Sequence, residues 1–244
     1  MDKVWLIASG KGGTGKSSLA VNWGTLMAVG GRRVLLVDLN IGLRCLDLCL
    51  GMDDRVLFDV LDVLDGFCRP SDAVLAHPSI DSLFLMPAAQ NRSPAELDGA
   101  RLQTLCSKLS SEYDLIVFDC PPGLEPIPVQ AARAAGRGMI VTTPDPASVR
   151  DADRMAAELS SAGLTELYLV VNRFRPDFLQ NKQIVNAHEI AETIGLPLLG
   201  CIPEDISLAS ATLCAEPVVI KEPQSLSAKA FKAMVRGLPG KEPF

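Results

Sequence analysis

The amino-acid sequence predicts an α/β fold in which a doubly wound, mostly parallel sheet carries helices on both faces. Seven short segments, most of them apolar throughout, have the character of strands covered on both sides: 4–8, 33–38, 83–86, 115–119, 139–143, 167–172 and 198–203. Segments with helical character lie between them, at 16–29, 94–111, 147–162, 182–194 and 225–237. Strand–helix alternation of this kind places ligands at the carboxyl ends of the strands.

Composition favours one large domain. The 244 residues are 48% hydrophobic and show no linker-like shift, so 1–244 is expected to form a single domain. The formal net charge of −6 leaves no strong case for a nucleic-acid partner. The seven cysteines include no CxC or CxxC pair, which disfavours disulfides and metal clusters. With no signal-peptide pattern at the start, the expected location is the cytoplasm.

A glycine-rich loop carries the clearest motif. Gly10 to Ser17 reads G-K-G-G-T-G-K-S and fits GxxxxGK[ST], between a predicted strand and a predicted helix. Its glycines allow backbone N–H groups to surround phosphate oxygens at the positive end of a helix. Lys16 is expected to reach the β- and γ-phosphates of a nucleotide, and the Ser17 hydroxyl to bind Mg²⁺.

Two acids close apolar strands that lead to the same sheet edge. Asp38 ends V-L-L-V-D and Asp119 ends L-I-V-F-D. Together with Ser17 they predict a Mg²⁺ site, the two acids acting through water. The C-P-P-G turn after Asp119 is placed to sense the γ-phosphate.

A second lysine makes the loop unusual and carries a family resemblance. The stretch S-G-K-G-G-T-G-K-S-S resembles the deviant Walker A loop of the MinD/ParA ATPases. Further stretches resemble the MinD branch in order and spacing: V-D-L-N-I-G-L-R-C-L-D-L-C-L-G (37–51), L-M-P-A-A-Q (85–90), Y-D-L-I-V-F-D-C-P-P-G-L-E (113–125), T-P-D-P-A-S-V-R-D-A-D-R (143–154), V-N-R-F-R-P (171–176) and I-G-L-P-L-L-G-C-I-P-E-D (194–205).

The resemblance implies an ATPase that uses ATP and Mg²⁺ and forms a homodimer on ATP. Lys11 would cross the interface to the partner's phosphates, where an ammonium group offsets charge on the transferring phosphoryl group. Asn172 would read the adenine edge. The implied catalytic residues are Lys11, Lys16 and the residue at position 40. The implied ATP-binding set is Lys11, Gly12, Gly13, Thr14, Gly15, Lys16, Ser17, Ser18, Asn172, Arg173, Pro203 and Asp205.

Two residues depart from the family pattern in one segment. Switch segments of the family usually read D-x-D, whereas this chain reads D-L-N and places Asn40 at the catalytic acid. Asparagine can hold a water molecule but cannot accept its proton, and a general base is typically worth ~10²–10⁴ in rate. Slow hydrolysis and a long-lived ATP dimer follow as predictions. Cys45 stands where the family tends to have asparagine.

The C-terminal region is the third departure. Family members usually continue into a short amphipathic membrane-binding helix, whereas here only P-G-K-E-P-F follows 225–238. The favoured expectation is that the helical segment docks on the sheet through its apolar positions. The alternative is an interfacial helix with basic flanks, which would place the protein peripherally at the inner face of the cell membrane. The charged stretch 150–154 is expected to form a solvent-exposed helix face. The family resemblance implies, as the alternative, that it contacts a partner protein.

The leading functional hypothesis is a MinD-like, ATP-dependent dimerising switch in division-site placement, with a division-regulator protein as partner. One alternative is a ParA-like or flagellar positioning ATPase. A metal-cofactor maturation ATPase is weakened by the lack of paired cysteines. The alternative from another class is a nucleotide-gated binding module with little hydrolysis, because Asn40 and Cys45 alter the switch.

Overall fold

The sheet of the computed structural model has the predicted architecture. The structure describes residues 2–124, 126–175 and 186–238. Strands β1 to β8 comprise Val4–Ala8, Val34–Asp38, Leu75–Ala76, Leu83–Met86, Leu115–Asp119, Arg137–Thr142, Leu167–Phe174 and Leu198–Pro203. They form one sheet in the order β3-β4-β2-β5-β1-β6-β7-β8. Only the edge pair β3–β4 is antiparallel within these described strands, and the other neighbours run parallel.

Helices cover both faces of this sheet. Helices α1 to α11 comprise Lys16–Val29, Leu46–Cys49, Val60–Leu64, Pro70–Ala73, Gly99–Leu109, Pro126–Ala132, Pro146–Ser161, Ala187–Ile194, Ile206–Leu213, Val218–Lys221 and Leu226–Arg236. Two 3₁₀ turns lie at Asp53–Arg55 and Pro94–Glu96. Helices α5 to α8 cover one face, and α1, α10 and α11 cover the other.

The central strand β1 shows why the strand segments are apolar throughout. Its alternate residues Val4, Leu6 and Ala8 belong to one buried core, while Trp5 and Ile7 belong to the core on the opposite face. All five are buried because each face of the sheet carries helices. A strand in this position has no solvent-facing side, which removes the alternation of polar residues.

Strand register brings two acids together. β5 lies between β1 and β2, and Asp38 pairs with Asp119 at the carboxyl ends of β2 and β5. The loop after β1 ends at the same edge and continues into α1. The site predicted from the sequence is therefore assembled by neighbouring strands.

Two predicted helices and one predicted strand have different bounds in the structure, and capping residues set the starts of both helices. The predicted helix 94–111 is divided, because Asp98 accepts hydrogen bonds from the backbone of Ala100 and Arg101 and so starts α5 anew. The predicted helix 182–194 begins at Ala187, capped by Asn186, and 182–185 lie outside the described residues. The predicted strand 139–143 begins earlier, at Arg137.

The last described helix docks on the sheet, as the sequence favoured. In α11 the side chains of Phe231, Met234 and Val235 are buried in the core that α1 shares. The backbone of β8 lies so close that a Cβ on Gly200 would stand 2.2 Å from Met234 Cγ. The apolar face is thus already covered by protein, which argues against the interfacial alternative for this helix. Within the described residues, no helix combines the length and the apolar character needed to span a bilayer.

Candidate nucleotide and metal site

The loop between β1 and α1 has the backbone of a phosphate cradle. Gly13 and Gly15 adopt left-handed conformations with φ of 74° and 96°, which glycine adopts without strain. Gly15 also leaves room for a neighbour, because a Cβ there would stand 2.1 Å from Asn172 Nδ2. Helix α1 starts at Lys16 with no acidic residue in its first turn, so its N-terminal N–H groups face no competing carboxylate on the helix.

The two loop lysines have different environments. Lys16 is buried, and its Nζ donates a 2.9 Å hydrogen bond to Ser9 Oγ, which in turn donates to the Lys11 carbonyl at 2.7 Å. Burial lowers the pKa of Lys16, an effect that the charge of Asp119 opposes. Because its partner is a hydroxyl rather than a carboxylate, the buried ammonium fits an anion such as phosphate.

Lys11 lies at the rim of the loop with 47% of its side chain exposed. Its Nζ forms an ion pair with Asp145 Oδ1 at 3.3 Å. Asp145 caps α7 and accepts from Thr143 Oγ1 at 2.6 Å and from the Ser148 N–H at 3.0 Å. Burial alone would raise the pKa of Asp145, but these hydrogen bonds hold it far below its ordinary value. An exposed pair of this kind is worth only ~0–1 kcal/mol and is readily exchanged for another partner.

Asp38 organises the segment that follows β2. Its Oδ1 accepts the backbone N–H of Asn40 at 2.8 Å, and its Oδ2 accepts those of Cys45 at 2.7 Å and Leu46 at 2.9 Å. The carboxylate is fully buried, and this burial raises its pKa against the effect of the three hydrogen bonds. Asp38 therefore folds the loop 39–45 back over the end of the sheet.

Asp119 and Ser17 provide oxygen atoms suited to a hard cation. Ser17 Oγ donates to Asp119 Oδ2 at 2.6 Å, and Asp119 Oδ1 is buried with no hydrogen-bond partner among the described residues. Burial and the neighbouring charge of Asp38 raise the pKa of Asp119 to about 7. A buried, partnerless carboxylate oxygen beside a hydroxyl fits Mg²⁺, which prefers oxygen ligands.

The two residues that depart from the family pattern are in direct contact. Asn40 Nδ2 donates to Cys45 Sγ at 3.3 Å, and Asn40 Oδ1 is buried without a partner among the described residues. The same sulfur lies 3.4 Å from Ser17 Oγ and 3.8 Å from Asp119 Oδ2. Burial, followed by the charges of Asp38 and Asp119, raises the pKa of the Cys45 thiol far above its ordinary value.

Cys45 is the residue of this site that the sequence did not assign to the metal. The sequence marked it only as an unusual residue in the switch segment. Its position depends on the hydrogen bond that its backbone N–H donates to Asp38 Oδ2. The sequence contains a cysteine seven residues after the strand-end Asp38 (D-x₆-C), but this spacing is not a known metal-ligand motif and did not predict a site.

Of the residues predicted to lie near adenine, Asn172 is buried against the phosphate loop, whereas Arg173 is exposed. Asn172 is buried near the carboxyl end of β7 and donates from Nδ2 to the Thr14 carbonyl at 2.7 Å, while its Oδ1 has no described partner. Arg173 is exposed, with φ of 53°, at an irregularity in the β7–β8 pairing. The structure thus brings Asn172 to the phosphate loop with a free acceptor, and its role at adenine stays a prediction.

Pro203 and Asp205 serve the fold in the described structure. Pro203 ends β8 and pairs with Phe174. Asp205 caps α9 by accepting the Ser207 N–H at 2.9 Å and holds Ser227, at the start of α11, by two hydrogen bonds of 2.9 and 2.7 Å to its N–H and hydroxyl. Their predicted contacts with ATP stay predictions.

The remaining loop residues lie beside the turn after β5. A Cβ on Gly12 would stand 3.9 Å from Pro122, and the Gly123 N–H donates to the Ser9 carbonyl at 3.0 Å. The Ser18 carbonyl accepts Asn22 Nδ2 within α1. The predicted γ-phosphate sensor is therefore in contact with the phosphate loop.

The fold and the loop together define the class as a P-loop NTPase. The family model ParA, described as NUBPL iron-transfer P-loop NTPase, matches residues 1–238. This chain belongs to the ParA/MinD family of P-loop NTPases, and as a member it is an ATPase that binds nucleotide with Mg²⁺.

Relatives with a common name match almost the whole chain. The septum site-determining protein MinD of Synechocystis is 36% identical over 242 residues, covering 99% of this chain and 91% of the relative. The putative septum site-determining protein MinD of Oltmannsiellopsis viridis is 40% identical over 240 residues, covering 98% of this chain and 76% of the relative.

Solved structures agree. MinD in the MinC:MinD cell division protein complex of Aquifex aeolicus has a TM-score of 0.90 at 32% identity and covers 99% of this chain and 97% of its own. MinD of Pyrococcus horikoshii, complexed with Mg-ADP, has a TM-score of 0.88 at 29% identity, with 98% and 97% coverage. The predicted fold class, family and cofactors are confirmed.

Proposed function

We propose that this protein is an ATP-dependent switch in division-site placement that dimerises when ATP is bound and acts on a division-regulator protein. Two relatives that cover nearly the whole chain carry the name septum site-determining protein. A similar structure is a MinD in complex with MinC. These likenesses support both the process and the kind of partner.

The contrast between the two lysines carries the dimer proposal. Lys16 is buried inside its own loop, whereas the side chain of Lys11 is exposed and its one described contact is a 3.3 Å surface ion pair with Asp145. A lysine that is not part of its own cradle can serve the nucleotide of a second copy. Releasing Asp145 costs little, since exposed pairs contribute ~0–1 kcal/mol.

The residues divide the work of hydrolysis as follows. When bound, Mg²⁺ neutralises charge on the β- and γ-phosphates. Lys16 binds and orients those phosphates from its own chain, and Lys11 offsets charge on the transferring group from the partner. Asn40 holds a water molecule through its partnerless Oδ1 but accepts no proton from it. Slow hydrolysis and a persistent ATP-bound dimer follow.

Sedimentation velocity with ATP, with ADP and without nucleotide tests the dimer. The protein is expected to sediment as a dimer with ATP only, and Lys11→Ala to remain monomeric while still binding nucleotide. Lys229→Ala removes an exposed lysine of α11 and serves as the matched control, expected to dimerise normally. An ATP-dependent dimer that survives Lys11→Ala would refute the role of Lys11, and a monomer under all conditions would refute the switch.

A nucleotide-gated binding module with little hydrolysis is the second candidate. The Asn40–Cys45 contact favours it, because neither side chain offers an ionised base to the water. Single-turnover hydrolysis with and without a division-regulator partner separates the two. Stimulation by the partner supports a regulated ATPase, whereas no phosphate release in either case supports the module.

Other cargoes are less well supported. A partition role predicts strong, salt-sensitive DNA binding by the ATP-bound dimer, which the net charge of −6 disfavours. An iron-transfer role, named in the family description, would be favoured by paired cysteines, but the sequence contains no CxC or CxxC.

We also propose that residues 1–244 act as a single domain in the cytoplasm. Any contact with the membrane would be peripheral, and the buried apolar face of α11 is unsuited to it. Liposome co-sedimentation of the full chain with ATP tests the cytoplasmic location. ATP-dependent pelleting with the liposomes would contradict it and would require a lipid-binding surface other than α11.

A further inference from the structure

A thiol lies among the oxygen ligands expected for the nucleotide's metal. One ligand atom each from Asp38, Cys45 and Asp119 can be chosen so that all three lie within 4.8 Å of one another. Ser17 Oγ is a fourth donor, 3.4 Å from the Cys45 sulfur. Three of these four residues, Ser17, Asp38 and Asp119, were predicted as Mg²⁺ ligands, whereas the sulfur of Cys45 was not.

We infer that Cys45 turns this position into a mixed sulfur and oxygen site that binds thiophilic divalent cations such as Zn²⁺, Co²⁺ or Cd²⁺. Asp119, Asp38 and Ser17 supply the oxygen ligands. The inference rests on the metal position in the proposed function, but it does not depend on dimerisation or hydrolysis.

The interatomic distances suit one shared ion. A tetrahedral zinc ion, with bonds of about 2.3 Å to sulfur and about 2.1 Å to oxygen, separates these ligand atoms by about 3.6 Å. Cys45 Sγ lies 3.4 Å from Ser17 Oγ and 3.8 Å from Asp119 Oδ2. The 2.6 Å hydrogen bond between Ser17 and Asp119 must open to admit the ion, and the Asp38 carboxylate, which lies within 4.8 Å of the other two ligand atoms, completes the site.

A second observation points to a missing ligand at this place. Asp119 Oδ1 is fully buried and has no hydrogen-bond partner in the described part of the chain, and Asn40 Oδ1, on the side chain whose Nδ2 donates to the Cys45 sulfur, has none either. Buried polar atoms without partners are costly, and a cation beside the Asp119 carboxylate would relieve that cost.

Sulfur changes which cation the site prefers. Mg²⁺ prefers oxygen alone, whereas thiolate ligands favour softer metals over Mg²⁺. Binding forms a metal–sulfur bond and releases the thiol proton to solvent, with no change in oxidation state. A cation held in this way occupies the place of the nucleotide's metal and so competes with Mg²⁺.

Co²⁺ absorption without nucleotide tests the inference apart from any ATPase activity. The protein is expected to show a thiolate-to-Co²⁺ charge-transfer band in the near ultraviolet that titrates to one ion per chain. Cys45→Ser and Cys45→Asn should lose the band, and Cys49→Ser, which changes a neighbouring thiol, should keep it. Circular dichroism and ADP binding establish that each variant is folded.

Competition between Cd²⁺ and Mg²⁺ gives a second readout. Loss of Cys45 should lower the ratio of Cd²⁺ to Mg²⁺ affinity at least about tenfold, the scale on which ligand shells tune affinity. No band in the natural protein, a band that survives in both Cys45 variants, or an unchanged affinity ratio would each overturn the inference. Because ATP is absent, such a failure would leave the proposed switch untouched.

Discussion

Asn40 Nδ2 donates a hydrogen bond to Cys45 Sγ at 3.3 Å, so the two unusual residues of the switch segment form one contact. Asp38 creates this contact by accepting the backbone N–H groups of both residues. The two departures from the family pattern are therefore structurally linked. A proton acceptor introduced at position 40 would also lie beside the sulfur of Cys45.

Asn40→Asp should raise the rate of ATP hydrolysis. A carboxylate at this position can accept the proton of the attacking water, a contribution typically worth ~10²–10⁴ in rate. We expect a gain near the lower end, about 10², because the new carboxylate adds charge beside Asp38 and Asp119. Single-turnover phosphate release measures it, with Asp53→Asn, a change of an exposed acid outside the predicted site, as a control. An unchanged rate in Asn40→Asp would show that Asn40 does not limit hydrolysis.

The double variant Asn40→Asp with Cys45→Asn should raise the rate of ATP hydrolysis by more than the product of the rate changes of the two single variants. Aspartate at position 40 has no N–H to offer the sulfur, whereas asparagine at position 45 can donate to the new carboxylate. Residues in direct contact usually couple, and we expect the double variant to exceed that product at least about threefold. A complete mutant cycle of single-turnover rates measures the coupling, and purely additive effects would mean that the 3.3 Å contact has no part in hydrolysis.

The sheet could be predicted from the sequence because burial on both faces leaves an unmistakable pattern. The predicted bounds of β1, β4, β5 and β8 coincide with those observed. The sequence did not predict the two-residue strand β3 or the short helices α2, α3, α4, α6, α9 and α10, since so few residues carry little periodicity.

The site was predictable only where strands determine it. Asp38 and Asp119 pair at the carboxyl ends of β2 and β5 because parallel strands end at one edge, and their role at Mg²⁺ stays a prediction. Cys45 reaches the same place through a loop folded around a buried carboxylate, which no local pattern encodes. Asp205 was assigned to ATP by resemblance, although D-I-S at 205–207 is also a helix-capping sequence, and the structure has that cap.

Gly15→Ala should damage nucleotide binding more than Gly13→Ala. Both positions have left-handed φ, so each alanine carries a backbone cost of about 1–2 kcal/mol. Only at Gly15 would the new Cβ stand 2.1 Å from Asn172 Nδ2, whereas a Cβ on Gly13 meets nothing within 4 Å. Titration with a fluorescent ADP analogue should show at least about tenfold weaker binding for Gly15→Ala than for Gly13→Ala. Equal losses would mean that Asn172 does not need its place beside the loop.

Asp205→Ala should lower the free energy of unfolding in a manner that depends on pH. The change removes the cap of α9 and both hydrogen bonds to Ser227, and a lost cap alone costs ~0.5–2 kcal/mol. Burial by itself would raise the pKa of Asp205, but the hydrogen bonds from Ser227 and Ser207 hold it below its ordinary value. The folded-state pKa is therefore lower than the unfolded-state pKa. The stabilisation is fully present above about pH 4 and is lost as the pH falls through the folded-state pKa. Urea unfolding at pH 7 should give a lower free energy of unfolding for Asp205→Ala than for the natural protein, and this difference should shrink as the pH falls below about 4. The control Asp53→Ala, a change of an exposed acid, should have nearly the free energy of unfolding of the natural protein at either pH. A gap that stays constant into the acid range would mean that the carboxylate charge of Asp205 contributes nothing to the tie between α9 and α11.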